Sequence, residues 1–396
     1  MANSSGILKV ESKLIVGDDG KPVILRSAGL GGWMNMENVI TGYPGMESTL
    51  GKEKYEFFFD KWLEYSFTEA DAKFFASKGL NCLRIPFNYR HFEDDMNPRV
   101  LKEGGFKHLD RVIELCAKEK IHTILDMHTE QTATRYKDNS WVAGYNSINE
   151  PCDPEHWRLP AFYDRLEPAL RKVDPNHILW LDGNIFAMQW RFFNKALPNF
   201  SYGFPKGETF TGAEEQKKLL KLQFLEKAEI SIWLYNNIGI QGIILTNPNS
   251  KYMRTIAPWL ARKRALQLDA WGRHPSKEVE AVIYPLCEYI DNVCSISKYQ
   301  YPPNWPTERQ ITRIISQIYM STCVQDEFAS IFKDMSPEEP EECARSFRFD
   351  ECVQREELNK ALEEHAVVEE IGRDFVRPTN DRPDLGNFDF AREQGD

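Results

Sequence analysis

Five short apolar runs recur along the first half of the chain, each separated from the next by residues with helical periodicity, and this alternation constrains the fold more than any other feature. The runs are VILRSAGLGG (Val23 to Gly32), NCLRIPFNY (Asn81 to Tyr89), HTILDMH (His122 to His128), WVAGYNSINEP (Trp141 to Pro151) and HILWLDGN (His177 to Asn184). Between them, Thr68 with Asp71 three residues on reads as a capping box, and Gly79 as a helix stop. Leu109, Val112, Ile113, Leu115 and Cys116 make one helical apolar face; Phe162, Leu166, Leu170 and Val173 make another. Strands alternating with helices imply a parallel sheet. Active sites of such sheets lie beyond the carboxyl ends of the strands, so the polar residues that close each run are the first candidates.

The alternation then weakens. Only twelve residues, TEQTATRYKDNS, join His128 to Trp141, short for a parallel crossover that also carries an active-site loop. Between Gly183 and Glu229 there is one helix, capped by Thr211 with Glu214, and a weak strand around Phe200 to Phe204. EISIWLY (Glu229 to Tyr235) reads as a final strand. The expectation is an α/β fold, derived from a (β/α)8 TIM barrel but incomplete, with six or seven strands, and with a C-terminal helical extension.

From Lys251 onward helical faces dominate, including Val279, Val282, Ile283, Leu286 and Ile290, and a capping box at Thr307 and Gln310. The basic run Ala261 to Arg264 reads as a solvated helix face. The domains are therefore expected at residues 1–250 for the barrel, 251–366 for the helical extension and 367–396 for a polar tail.

Composition narrows the partners. Lys and Arg total 49 against 60 Asp and Glu, a net charge of −11, which disfavours phosphate backbones, so no nucleic-acid partner is expected. No apolar stretch is long enough for a membrane span, and MANSSGILKVESK lacks the pattern of a secretory signal. The eight cysteines (82, 116, 152, 287, 294, 323, 343 and 352) form no CxxC pair. Reduced thiols in a cytoplasmic protein are expected, with Cys152 a bystander.

Glu150, set between Asn149 and Pro151 at the end of an apolar run, is a candidate acid. Glycoside hydrolysis by its common routes needs two carboxylates. Arg84, in an otherwise apolar strand, needs anionic or carbonyl partners and so implies a polar site. His122, Asp126 and His128 share a strand face; a hydrogen-bonded histidine is preferred over a metal site, and neither metal nor cofactor is expected. GLGGWMNMEN (Gly29 to Asn38) lacks the residues of a phosphate loop and reads either as a tight turn or as a pocket rim exposing Trp33 and Glu37. Trp233 fits core or a sugar-stacking platform.

Together LRIPFNY, LDMH, GYNSINEP and SIWLY resemble glycoside hydrolase family 5, the cellulase-like (β/α)8 glycosidases, from about Val23 to Trp233, followed by the helical extension of an intracellular fungal branch. The resemblance implies Glu150 as acid/base, Asn149 on the sugar 2-hydroxyl, Arg84 orienting the nucleophile, His128 lining the sugar subsite and Trp233 beneath it. Glu37, four residues after Trp33, would bind sugar hydroxyls. The partners implied are a carbohydrate or glycoside. The family's nucleophile is a glutamate ending the seventh strand, and no matching segment occurs; Glu208, Glu214, Glu215, Glu226 and Glu229 are the acids between Gly183 and Trp233. The family's histidine and tyrosine near the sixth strand are also absent. A transcript lacking exons and a pseudoenzyme lineage both fit such losses, so the expected function is a retaining glycosidase impaired for want of its nucleophile, or an inactive carbohydrate-binding relative.

Overall fold

The computed structural model describes residues 6–11, 14–35, 44–94, 96–126, 130–149, 151, 153, 158–182, 201–202, 245–246, 249–271, 276–277, 280–281, 284–285, 324–336, 338–354, 356, 359–360 and 363. These fall into two compact units. One takes the described residues up to 35, from 61 to 246 and from 347 onward; the other takes 44–60 and 249–346. The chain passes from the first unit to the second after Asn247. Two segments depart from the expected partition, because 44–60 groups with the helical unit and 347–363 with the sheet.

The first unit is built on six parallel strands: β1 (Ser27–Gly29), β2 (Cys82–Pro86), β3 (His122–Asp126), β4 (Val142–Asn146), β5 (Ile178–Leu181) and β6 (Ser201–Tyr202). Each pairs with its neighbour in sequence, with no reversal of order. A doubly wound sheet reverses at a switch point, whereas a (β/α)8 barrel runs in this order, so the α/β barrel class is the one observed. β3, β4 and β5 are buried at every position, as strands covered on both faces must be. The weak strand read around Phe200 to Phe204 is β6, whereas the first run, Val23 to Gly32, forms a strand only over its middle, Ser27–Gly29.

Local chemistry sets the crossovers. Helix α1 (Glu69–Ser77) starts at Thr68, whose N–H and hydroxyl both donate to the Asp71 carboxylate at 2.8 and 2.6 Å, and it ends before Gly79 at φ 75°. Helix α2 (Glu103–Lys118) buries Leu109, Val112, Ile113 and Cys116. Helix α3 (Glu130–Tyr136) occupies the connection that looked too short. Two turns suffice there because β3 and β4 are adjacent in the sheet, so no strand is lost between them. Helix α4 (Arg158–Val173) buries Leu159, Tyr163 and Leu170; of the face expected, Leu170 is buried and Phe162, Leu166 and Val173 are half-buried. In β4, Gly144 sits at φ 137°, and a Cβ there would lie 2.0 Å from the Ile178 carbonyl oxygen, so only glycine allows β4 and β5 to approach.

At the amino ends of the strands, Leu8, Leu25, Cys82, Ile124, Ala143, Ile178 and Trp180 form a core cluster, with Val10, Ile15 and Val23 packed on it. The hairpin of Lys9–Glu11 and Leu14–Val16 therefore closes that end. A second buried network lies there too: the Asp174 carboxylate meets His177 Nδ1 at 2.6 Å and accepts from the Tyr145 hydroxyl at 2.7 Å.

The second unit is helical. Helices Pro44–Leu50, Lys251–Trp271, Gln325–Ile331 and Glu339–Arg345 bury Met46, Tyr252, Ile256, Trp259, Phe328 and Cys343, with Phe58 and Phe332 in ring contact. The solvated face expected at Ala261 to Arg264 is corrected at Lys263. That side chain is buried, with 7% of the residue exposed and its ammonium 5.2 Å from the Trp259 ring centroid.

Candidate functional site

Opposite the closed end, polar side chains converge where the strands finish. Arg84, at the middle of β2, extends its Nη2 to Asp126 Oδ2 at the end of β3, 2.6 Å away. The same nitrogen donates to Asn146 Oδ1 at the end of β4 (3.0 Å) and to Asn149 Oδ1 just beyond it (2.6 Å). Asn146 Nδ2 donates to the Trp180 carbonyl at 2.8 Å and to Asp182 Oδ1, past the end of β5, at 3.3 Å. The Tyr163 hydroxyl donates to the main-chain carbonyl of Asp182 at 2.9 Å. Four successive strands thus deliver one guanidinium, two carboxylates and two amides to one place, which a parallel register makes possible.

The electrostatics follow from burial. Asp126 is 1% exposed at its side chain and Arg84 32%, so the pair is a buried anion held by a cation that reaches solvent. Burial raises the Asp182 carboxyl above its usual range, against the opposing effects of the Arg84 charge and the Asn146 hydrogen bond. Burial also raises the Tyr163 hydroxyl, and the nearby Asp182 and Asp126 charges add to it. Among the described residues, the cluster sets two carboxylates, Asp126 and Asp182, against one guanidinium.

Arg84 and Asn149, both expected at the site, are brought together by a direct hydrogen bond. Glu150, His128, Trp233 and Glu37 lie outside the described residues. Trp33 corrects the exposed-rim alternative: it is 0% exposed, and its indole N–H donates to the Leu63 carbonyl at 2.9 Å. Gly32, at φ 74°, makes the turn that precedes it. The metal alternative at His122, Asp126 and His128 fails on spacing, because four residues of strand set His122 about 13 Å from Asp126. His122 instead packs on Trp141, and burial pushes its imidazole down to about 4. No group of three His, Cys, Asp or Glu side chains able to hold a metal occurs among the described residues.

Asn146 and Asp182 were not anticipated. Asn146 sits inside an apolar run and Asp182 precedes Gly183, a pair that reads as a turn. The usable signal was positional, since both stand where a buried strand gives out.

Fold and cluster together define an α/β barrel-type protein with a polar site at the strand carboxyl ends. Residues 35–218 match the model of Cellulase (glycosyl hydrolase family 5). A "Beta-xylosidase" of Phanerodontia chrysosporium is 39% identical over 469 aligned positions, covering 91% of this chain and 98% of that protein. "Endoglucanase C" of Acetivibrio thermocellus is 25% identical over 183 residues, 39% of this chain and 48% of that protein. Among solved structures, an endogalactoceramidase is matched at TM-score 0.39 and 15% identity, over 50% of this chain and 59% of that one. The chain belongs to glycosyl hydrolase family 5. Because 91% of 396 residues is about 360, about 109 of the 469 positions aligned with the xylosidase have no residue in this chain.

Proposed function

We propose that the chain is a β-glycoside-binding protein of retaining-glycosidase descent that keeps Glu150 as acid/base and lacks the nucleophilic carboxylate. The observation that carries this reading is the hydrogen-bonded cluster of Arg84, Asp126, Asn146 and Asn149 at the strand carboxyl ends, with Glu150 next in sequence to Asn149. The absence of about 109 positions that the xylosidase possesses supports the second half. The ligand class is a small β-glycoside, a β-xyloside in the first instance, or the end of a β-linked polysaccharide. Cys82, Cys116 and Cys343 are free and buried, which supports an intracellular setting.

The test is turnover of aryl β-xylosides and β-glucosides with and without azide, by the unaltered chain and by Glu150→Gln. Without azide, little hydrolysis is expected. With azide, the anomeric carbon loses its aryloxy group and gains nitrogen from the opposite face in one displacement, while Glu150 protonates the departing oxygen. The product is then the α-glycosyl azide, and Glu150→Gln slows release of poorly acidic phenols. A β-glycosyl azide, or vigorous azide-independent hydrolysis lost in Glu150→Gln, would show that a nucleophile is present and sink the reading. Saturable sugar binding without rescue would leave the inactive carbohydrate-binding protein.

A further inference from the structure

We propose that Asp182 is a positioning residue of this site: it fixes the side-chain amide of Asn146 and, through Asn146 and Arg84, the amide of Asn149. The inference rests on the functional reading above only where sugar binding is the readout.

The geometry permits one orientation of the Asn146 amide. Its Nδ2 faces two acceptors, the Trp180 carbonyl oxygen at 2.8 Å and Asp182 Oδ1 at 3.3 Å. Turning the amide over would set its oxygen against both, and its NH2 group against the Arg84 guanidinium. With the amide as observed, Oδ1 receives Arg84 Nη2 at 3.0 Å, and that nitrogen reaches on to Asn149 Oδ1 at 2.6 Å. The route runs from carboxylate to amide to guanidinium to amide, and an anion at its origin polarises each later bond in the same sense. Asn149 is exposed, so the cation determines where its amide points more than packing does.

Among the described residues, the charged and titratable groups facing Asp182 include Arg84 from β2 and Tyr163 from α4, and Asp126 from β3 acts in turn on Tyr163. Burial displaces the Asp182 carboxyl upward, so its proton is taken up at a pH above that of an ordinary aspartate. Protonation removes the anion at the head of the route, and the Asn149 amide should report it.

The experiment follows the side-chain amide resonances of the full chain labelled at asparagine, with Asn149→Asp to identify the Asn149 signal. In the unaltered protein this signal should move with pH, with a midpoint above about 4. In Asp182→Asn, whose amide oxygen still accepts from Asn146 but carries no charge, the movement should vanish and the signal should stay, at every pH, near the position the unaltered protein reaches in acid. In Asp182→Ala the signal should be displaced or broadened, and affinity for an aryl β-xyloside at neutral pH should fall roughly fivefold to tenfold, the effect of one hydrogen bond. A pH movement that persists in Asp182→Asn, or an unmoved signal in Asp182→Ala, overturns the proposal. Should Asp182→Ala fail to fold, the Asp182→Asn titration decides alone. If the unaltered chain binds no glycoside, the functional reading falls, and the resonance titration still decides the role of Asp182.

Discussion

Replacing Arg84 with methionine should destabilise the sheet unit by about 3 kcal/mol. The substitution removes the cation that lies 2.6 Å from Asp126 and the donor to Asn146 and Asn149. Asp126 cannot turn to water, being 1% exposed, so its charge is left in the interior. The 32% exposure of the Arg84 side chain places the loss at the lower end of the range for broken buried pairs, because part of the field is already screened. Urea unfolding followed by tryptophan fluorescence measures it, and a parallel drop of roughly 6–12 °C in Tm is expected for a unit of this size. The double substitution Arg84→Met with Asp126→Asn should recover about 2 kcal/mol, since the stranded charge is then gone. An exposed control, Arg135→Met opposite Asp110, should cost less than about 1 kcal/mol. The reasoning is refuted if Arg84→Met and Arg135→Met cost the same, or if Asp126→Asn deepens the loss instead of relieving it.

Two further predictions use buried ionisable groups. Burial opposes ionisation of Asp174, but its hydrogen bonds to His177 and Tyr145 outweigh that and hold the carboxyl below its usual range. The folded state therefore binds its proton less readily than the unfolded state, and the stabilisation is complete above about pH 4 and lost as the pH falls further. Asp174→Asn should cost about 2 kcal/mol at pH 7 and progressively less in acid, read from urea midpoints across pH. Lys263 is displaced the other way: burial lowers its ammonium to about 8. The unfolded state then binds the proton more readily, so the lysine penalises folding fully below pH 8, and the penalty fades as pH rises toward the unfolded value. Lys263→Met should thus stabilise the helical unit by about 2 kcal/mol at pH 7, after allowing for the lost contact with Trp259, and by nothing near pH 11; destabilisation at pH 7 would contradict this.

Periodicity carried the fold where side chains repeat a burial pattern, and it failed where burial depends on something distant. The strand runs were legible because parallel strands covered on both faces are apolar throughout, and α1 because Thr68 and Asp71 are local partners. Residues 44–60 passed unread: Phe58 and Met46 are buried, yet Gly51 and a row of Lys and Glu side chains interrupt the pattern. Their burial depends on helices more than 190 residues away in sequence. Lys263 was misread for a local reason: Trp259, one turn earlier on the same helix, lies against its ammonium, and the basic run alone does not announce that contact.

At the site the division is sharper. Arg84 could be recognised because an arginine inside an apolar strand violates the local pattern, and a violation demands partners. Asn146 and Asp182 violate nothing, and they acquire meaning only when β4 and β5 are laid side by side with Gly144 letting the backbones close. A parallel sheet makes a site by bringing together residues that are unremarkable one at a time, so the residues that position a site are harder to read than those that react. This asymmetry bears on the missing carboxylate. The hydrogen bonds that orient Asn149 run among residues of β2 through β5, all upstream of residue 183. On the proposed reading, a chain without the nucleophile keeps the hydrogen-bonded frame around Asn149, and that frame is its physical reason to bind a glycoside it does not cleave.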